Sequence, residues 1–221
     1  MTELLPCCLG FLGDPPPPPF FHKRLEAQLA LFDRIASVPG DVVELGVGSG
    51  VSLRGWAHFV AEHGPGRRVW GFDTFAGFPS FAPEDGTLDP ALGKRVGGET
   101  EIRERPVTER EVTESLLGLS RGGDVRVLLV RGDIVNELPK YSATMKPALV
   151  FCDADTYAPT EIALRLLWRQ ASPGALFVFD EYGHEPWPGE TKAVDDFIQA
   201  TGLTLERLTM ESGPTALVVK P

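Results

Sequence analysis

The chain has 221 residues, 43% hydrophobic and 24% charged, which suits one domain with a sizeable core. Its 21 basic residues against 31 acidic leave a net charge of −10, which disfavours nucleic acid and anionic membrane surfaces and favours a small-molecule partner, with or without a divalent cation. No apolar run reaches the roughly 18 residues of a membrane span. The cysteines Cys7, Cys8 and Cys152 make no disulfide framework, and no basic region followed by an apolar core opens the chain, so a reduced, cytoplasmic protein is expected.

Residues 1–21 read as a peripheral leader, with a proline run at 15–19 that favours extended polyproline II geometry and stays outside helices. It reads as a rigid spacer or disordered leader, with a lid or a homodimer contact formed by Phe11, Phe20 and Phe21 as the alternative. A single domain is expected over 22–221. His22 to Val38 is helical in pattern, with Leu25, Leu29 and Phe32 at steps of three and four, and Pro39-Gly40 stops it. Strands then alternate with helices: strand Val42 to Leu45, helix Val51 to Glu62, strand Arg68 to Phe72, strand Val125 to Val130, short helix Ile134 to Leu138, strand Ala148 to Cys152, helix Pro159 to Gln170, strand Ala175 to Phe179, helix Thr191 to Ala200. Leu203 to Leu208 and Ala216 to Val219 close the chain as two strands without a helix between them. Short, fully apolar strands alternating with helices predict an α/β fold: a mostly parallel sheet covered on both faces, with an antiparallel edge hairpin. Residues 77–123, rich in Gly, Pro and charge, break the rhythm and read as an insertion over a site, with one helical stretch near Glu109 to Leu117.

The stretch "VVELGVGSGVS" follows a strand and opens a helix. Gly46, Gly48 and Gly50 allow a tight turn and close approach of a ligand. The third glycine falls one position earlier than in the dinucleotide fingerprint, which argues against NAD or FAD and for S-adenosylmethionine. Asp73 ends the next strand and is a candidate for the ribose hydroxyls, or else a turn or cap residue. Asp133, after the third strand, is either a ligand-side group or the N-cap of the short helix that follows.

Asp153, Asp155, Asp180 and Glu181 stand at the carboxyl ends of two consecutive strands, where open α/β sheets bind ligands. Converging carboxylates without Cys or paired His suggest Mg²⁺, or Mn²⁺ or Ca²⁺; separate caps and salt bridges to nearby Arg or Lys are the other explanation. Asp155-Thr156 could cap the helix that follows. The run Asp153-Ala154-Asp155-Thr156 also begins like the nucleophile signature of haloacid-dehalogenase-like phosphatases. Tyr157, the late position in the chain and the unemployed glycine loop argue against that. His184 is a candidate base or orienting group, and Trp187 a wall for the substrate or a cover for its loop.

Together "VVELGVGSGVS", "VWGFDTFAGFP", "FCDADTYAPTEIALRLL", "SPGALFVFDEYG" and "GETKAVDDF" resemble the macrocin O-methyltransferase (TylF-like) family. The resemblance implies a Rossmann-like class I methyltransferase with a seven-stranded sheet, S-adenosylmethionine, a Mg²⁺ held after the fourth and fifth strands, and methylation of a sugar or other natural-product hydroxyl. By position it implies Gly46, Gly48 and Gly50 beside the cofactor, Glu44 near its methionine part and Asp73 on the ribose. Asp153 or Asp155 would hold the metal with Asp180 and Glu181. Asp155 or His184 would serve as the base. The family usually has Asp-Asp-Tyr where this chain has Asp180-Glu181-Tyr182. A metal-free methyltransferase and a non-catalytic cofactor-binding scaffold are the alternatives on the same fold.

Overall fold

The computed structural model describes residues 19–64, 66–86, 108–117, 125–209 and 213–221. Cys7, Cys8, Phe11 and the prolines at 15–18 lie outside the described residues, as do 87–107 and 118–124 of the expected insertion.

The first helix, α1, is Pro19–Arg34. It takes in the last proline of the run, contrary to expectation. A proline fits the first helical turn because its missing N–H would have no partner there. The helix also stops short of Val38: bonds such as Ile35 N–H to Phe32 O and Val38 N–H to Ile35 O tighten the chain into turns before Gly40. Then come β1 (Asp41–Leu45), α2 (Val51–His63), β2 (Arg68–Asp73), α3 (Glu109–Leu117), β3 (Arg126–Arg131), α4 (Ile134–Tyr141), β4 (Pro147–Cys152), α5 (Tyr157–Gln170), β5 (Leu176–Phe179), α6 (Pro188–Thr201), β6 (Glu206–Arg207) and β7 (Ala216–Val219). α5 begins at Tyr157, earlier than expected, and α6 begins at Pro188, again a proline in a first turn. Gly202, left-handed at φ +70°, ends α6.

The seven strands lie in the order β3-β2-β1-β4-β5-β7-β6. β1 to β5 pair in parallel, while β7 runs antiparallel to β5 and β6 antiparallel to β7. The expected edge hairpin is therefore present, but its second strand sits inside the first. β6 is also only two residues long, because Leu203 and Leu205 turn to the helix layer instead of extending the pairing.

Period-two alternation sends strand side chains to both faces. On one face Val42, Val69, Leu149, Phe151 and Val178 pack against Leu25, Phe32, Trp56 and Phe59 of α1 and α2. On the other, Val43, Phe72, Val150 and Phe177 pack against α4, α5 and α6. Phe151 is fully buried and meets Trp56 edge-on at 5.7 Å. Truncating such a ring to alanine costs about 3–5 kcal/mol. Among the described residues no helix is long and apolar enough to cross a membrane. The sheet brings the carboxyl ends of β1, β2, β4 and β5 to one rim, with the first crossover reversal between β1 and β4.

Candidate active site

The glycine loop leaves β1 between its two parallel neighbours. Gly46 is left-handed at φ +90°, and a Cβ there would lie 2.0 Å from the Asp153 carbonyl oxygen, so only glycine lets the loop pass the end of β4. Gly48 is different: a Cβ on it would meet none of the described residues within 4 Å, so among them its side of the loop is open. Gly50 packs under Val112 of α3, so this helix of the expected insertion lies against the loop. No side chain caps the first turn of α2.

Asp73 is bound to this loop. Its Oδ2 accepts from Gly48 N–H at 2.8 Å and its Oδ1 from Phe75 N–H at 2.7 Å. Asp133 is the N-cap of α4, accepting from Val135 N–H and Asn136 Nδ2, each at 3.0 Å. It stands beyond β3, the edge strand next to β2, with β2 and β1 between it and the acidic groups of β4 and β5.

Glu44 lies two residues before Gly46 and has no exposed surface. Neither of its oxygens has a hydrogen-bond partner among the described residues. Burial pushes its carboxyl well above the usual range, and Asp73 and Asp180 add to this against the pull of Arg24. The Trp56 indole offsets a little of the rise, yet no hydrogen bond of ordinary geometry closes between the two.

Asp153, Asp155, Asp180 and Glu181 do gather at the rim, but around an arginine that sequence reasoning missed. Arg24 of α1 donates from Nη2 to Asp153 Oδ2, from Nη1 to Asp180 Oδ2 at 3.1 Å, and from Nε to Ser52 Oγ at 2.8 Å. Its guanidinium also lies over the Phe151 ring, 5.4 Å from the centroid. Burial opposes its charge, but Asp153 and then Asp180 outweigh burial and hold the guanidinium above its usual range. A signal existed. Arg24 and Gln28 are polar, four apart, and in phase with Leu25 and Leu29; both are buried.

The remaining acidic groups share little positive charge. Burial, then Asp180, push Asp153 well above the carboxylate range, against Arg24. Asp155 sits in a left-handed turn at φ +62°, which Asp tolerates better than most residues. Burial, then Glu181 and Asp180, push it well up, and none of the described residues hydrogen-bonds its carboxylate. Burial and Asp180 raise Glu181, whose Oε2 pairs with His184 Nδ1. Asp180 Oδ1 is buried and unpartnered among the described residues. Glu190, at the start of α6, was also missed. It is fully buried, accepts from Glu181 N–H at 2.8 Å through Oε1, and leaves Oε2 unpartnered. Burial, then Asp180 and Asp155, push it well above the usual range. Among the described residues, no three His, Cys, Asp or Glu side chains stand together as a group that could hold a metal ion in this arrangement.

Loops on either side are fastened to the site. Asp85 is buried and accepts from Ala82 N–H and Tyr157 N–H, each at 2.7 Å. The cap of α5 is thus supplied by the β2 loop; Thr156 makes no side-chain cap and Asp155 none either. Phe78 of that loop meets Phe81 at 5.5 Å and Trp187 at 5.3 Å. Trp187, 5% exposed, therefore joins the β2 and β5 loops.

The sequence matches the model of the Macrocin-O-methyltransferase (TylF) family over residues 22–211. It is 30% identical over 146 residues to the 8-demethyl-8-(2,3-dimethoxy-alpha-L-rhamnosyl)-tetracenomycin-C 4'-O-methyltransferase of Streptomyces olivaceus, covering 66% of this chain and 54% of that protein. It is 28% identical over 150 residues to the mycinamicin III 3''-O-methyltransferase of Micromonospora griseorubida, covering 66% and 56%. The chain spans about half the length of the curated relatives it matches. The crystal structure of CalS11, a calicheamicin methyltransferase, superposes with a TM-score of 0.74 at 26% identity, over 99% of this chain and 91% of that one. The sheet order and these likenesses set aside the phosphatase alternative and establish a Rossmann-like class I methyltransferase fold. The chain belongs to the macrocin-O-methyltransferase (TylF) family.

Proposed function

We propose that the chain is an S-adenosylmethionine-dependent O-methyltransferase, assisted by Mg²⁺ or another divalent cation, acting on a hydroxyl of a sugar or other natural-product acceptor. Glu44 is the observation that carries this. A fully buried carboxylate with two unpartnered oxygens is costly unless a cationic donor completes it. The ammonium of the cofactor's methionine part is such a donor. The open side of the glycine loop at Gly48, next to Asp73, suits the nucleoside. Both curated relatives are named as O-methyltransferases, one of a rhamnosyl tetracenomycin, which supports a sugar hydroxyl as the acceptor.

The donor set at the ends of β4 and β5 is all oxygen, four acidic side chains with one guanidinium, Arg24, among them, which fits a hard divalent cation. The buried, unpartnered Asp180 Oδ1 is the clearest sign of that fit. Asp153, Asp180 and Glu181 would hold the ion after shifting from their present arrangement around Arg24, with Asp155 beside it. When bound, the cation lowers the pKa of a nearby hydroxyl, and S-adenosylmethionine supplies a methyl group on a sulfonium centre. Asp155 accepts the hydroxyl proton. None of the described residues hydrogen-bonds its carboxylate, which leaves it free to take that proton. With the cofactor held by Glu44 and the glycine loop, its methyl group would be the electrophile for the acceptor oxygen, with the thioether as leaving group. His184 holds Glu181. Phe78, Phe81 and Trp187 form an apolar wall that keeps water from one side of the acceptor. The insertion, through α3, covers the cofactor side.

A metal-free version of the same reaction has one observation in its favour: Arg24 already pairs Asp153 and Asp180. Methyl-labelled cofactor offered with a panel of glycosides and aglycones, with and without EDTA, tests both. Label transferred to a hydroxyl and lost in EDTA supports the proposal. Transfer that survives EDTA supports the metal-free version, and no transfer to any acceptor supports a scaffold.

A further inference from the structure

Every nitrogen of the Arg24 side chain is occupied, and two of them close on the Asp153 and Asp180 Oδ2 atoms. Arg24 is buried, 8% exposed, and comes from a helix 129 and 156 residues away in sequence. α1 does not need it to dock. Leu25, Leu29 and Phe32 pack into the core, and Gln28 Nε2 donates to Ser52 O at 3.1 Å. What Arg24 adds is positive charge at one place. Buried guanidinium and buried carboxylates are each unfavourable alone, so the two aspartates and the arginine stabilise one another. A divalent cation on the same two oxygens would lie within a few ångströms of that guanidinium, where like charges repel strongly.

We propose that Arg24 is a built-in counter-cation that competes with a divalent metal for Asp153 Oδ2 and Asp180 Oδ2, so that metal entry and Arg24 release are one event. This rests on the metal reading of the site given above. It makes metal affinity in this chain a property of α1 as well as of the carboxylates. It also lets the metal-free chain stay folded with its acidic pair closed.

The test uses the full chain as wild type, Arg24→Gln and Arg24→Lys, titrated with Mn²⁺ alone and followed by the paramagnetic resonance of free Mn²⁺. Unfolding temperature in EDTA and in Mn²⁺ is the second readout. Arg24→Gln should bind Mn²⁺ at least about tenfold more tightly than wild type, because the competitor is gone. In EDTA its unfolding temperature should fall by roughly 10 °C, since the buried Asp180 and the part-buried Asp153 lose their cation. Mn²⁺ should restore most of that loss while moving wild type little. Arg24→Lys keeps one charge without the two-pronged fork and should fall between the two. Equal or weaker Mn²⁺ binding by Arg24→Gln, with clear binding by wild type, overturns the competition and leaves the metal reading standing. No Mn²⁺ binding by any of the three overturns both. If Arg24→Gln does not fold, Arg24→Lys decides: tighter binding than wild type supports the competition, and unchanged binding overturns it.

Discussion

Two parts of the same rim handle negative charge in opposite ways. At the end of β2, Asp73 is held by backbone N–H groups, Phe75 two residues on and Gly48 on the adjoining loop. At the ends of β4 and β5, Asp153 and Asp180 depend on a guanidinium more than a hundred residues away in sequence. The first arrangement is part of the scaffold, because backbone donors cannot leave. On the proposal above the second is exchangeable, because an arginine side chain can give up its partners to a stronger cation. Chemistry that requires charge to move belongs at the second place, and a binding platform at the first.

The largest expected effect lies at the exchangeable end. Asp155→Asn should lower turnover by about 100- to 10,000-fold, the range for removing a general base. Binding of S-adenosylmethionine, measured by calorimetry, should change little. A matching loss of cofactor binding would move Asp155 to the platform side of the rim. At the platform end, Glu44→Gln should weaken cofactor binding by about ten- to a hundredfold, as for a lost charge-assisted hydrogen bond. The unfolding temperature of the cofactor-free chain should hold or rise, because a buried, uncompensated carboxylate has gone. A fall would mean that Glu44 is structural.

How much of this was legible depended on sequence distance. The glycine loop, Asp73 and the apolar strands could be read because their partners are near in sequence or follow a fixed period. The Asp133 cap was legible as one of two options for the same reason: its partners, Val135 and Asn136, are two and three residues away. Arg24 was not, because nothing in the residues around Asp153 names its partner. Asp85 escaped for the same reason, capping α5 from 72 residues away. The early start of α5 follows from it. Once Asp85 satisfies the Tyr157 N–H, the helix can begin before Pro159, whose missing N–H falls in the first turn, where helical donors lack partners anyway.

Smaller effects test these long-range ties. Asp85→Ala removes a cap and the anchor of the β2 loop. It should cost about 1–2 kcal/mol, seen as a drop of a few degrees in unfolding temperature, and should raise KM for the acceptor more than for the cofactor. Glu190→Gln gives a smaller, pH-dependent signal. The folded pKa of Glu190 is raised above its unfolded value. Its contribution is therefore complete below the ordinary carboxylate range and is lost as pH rises toward the folded value. Glutamine keeps the acceptor for Glu181 N–H and removes the titration. The unfolding temperature of the metal-free variant should therefore decline less than that of wild type between about pH 5 and about pH 8. Parallel curves would show that Glu190 carries no such burden.

On the function proposed above, the rim binds S-adenosylmethionine on its β1–β2 side independently of the cation on its β4–β5 side. Calorimetric titration of the full chain with S-adenosylmethionine, once in EDTA and once in Mg²⁺, tests it directly. One molecule bound per chain is expected in both conditions, with methyl transfer only in Mg²⁺. Absence of binding in both conditions would contradict it.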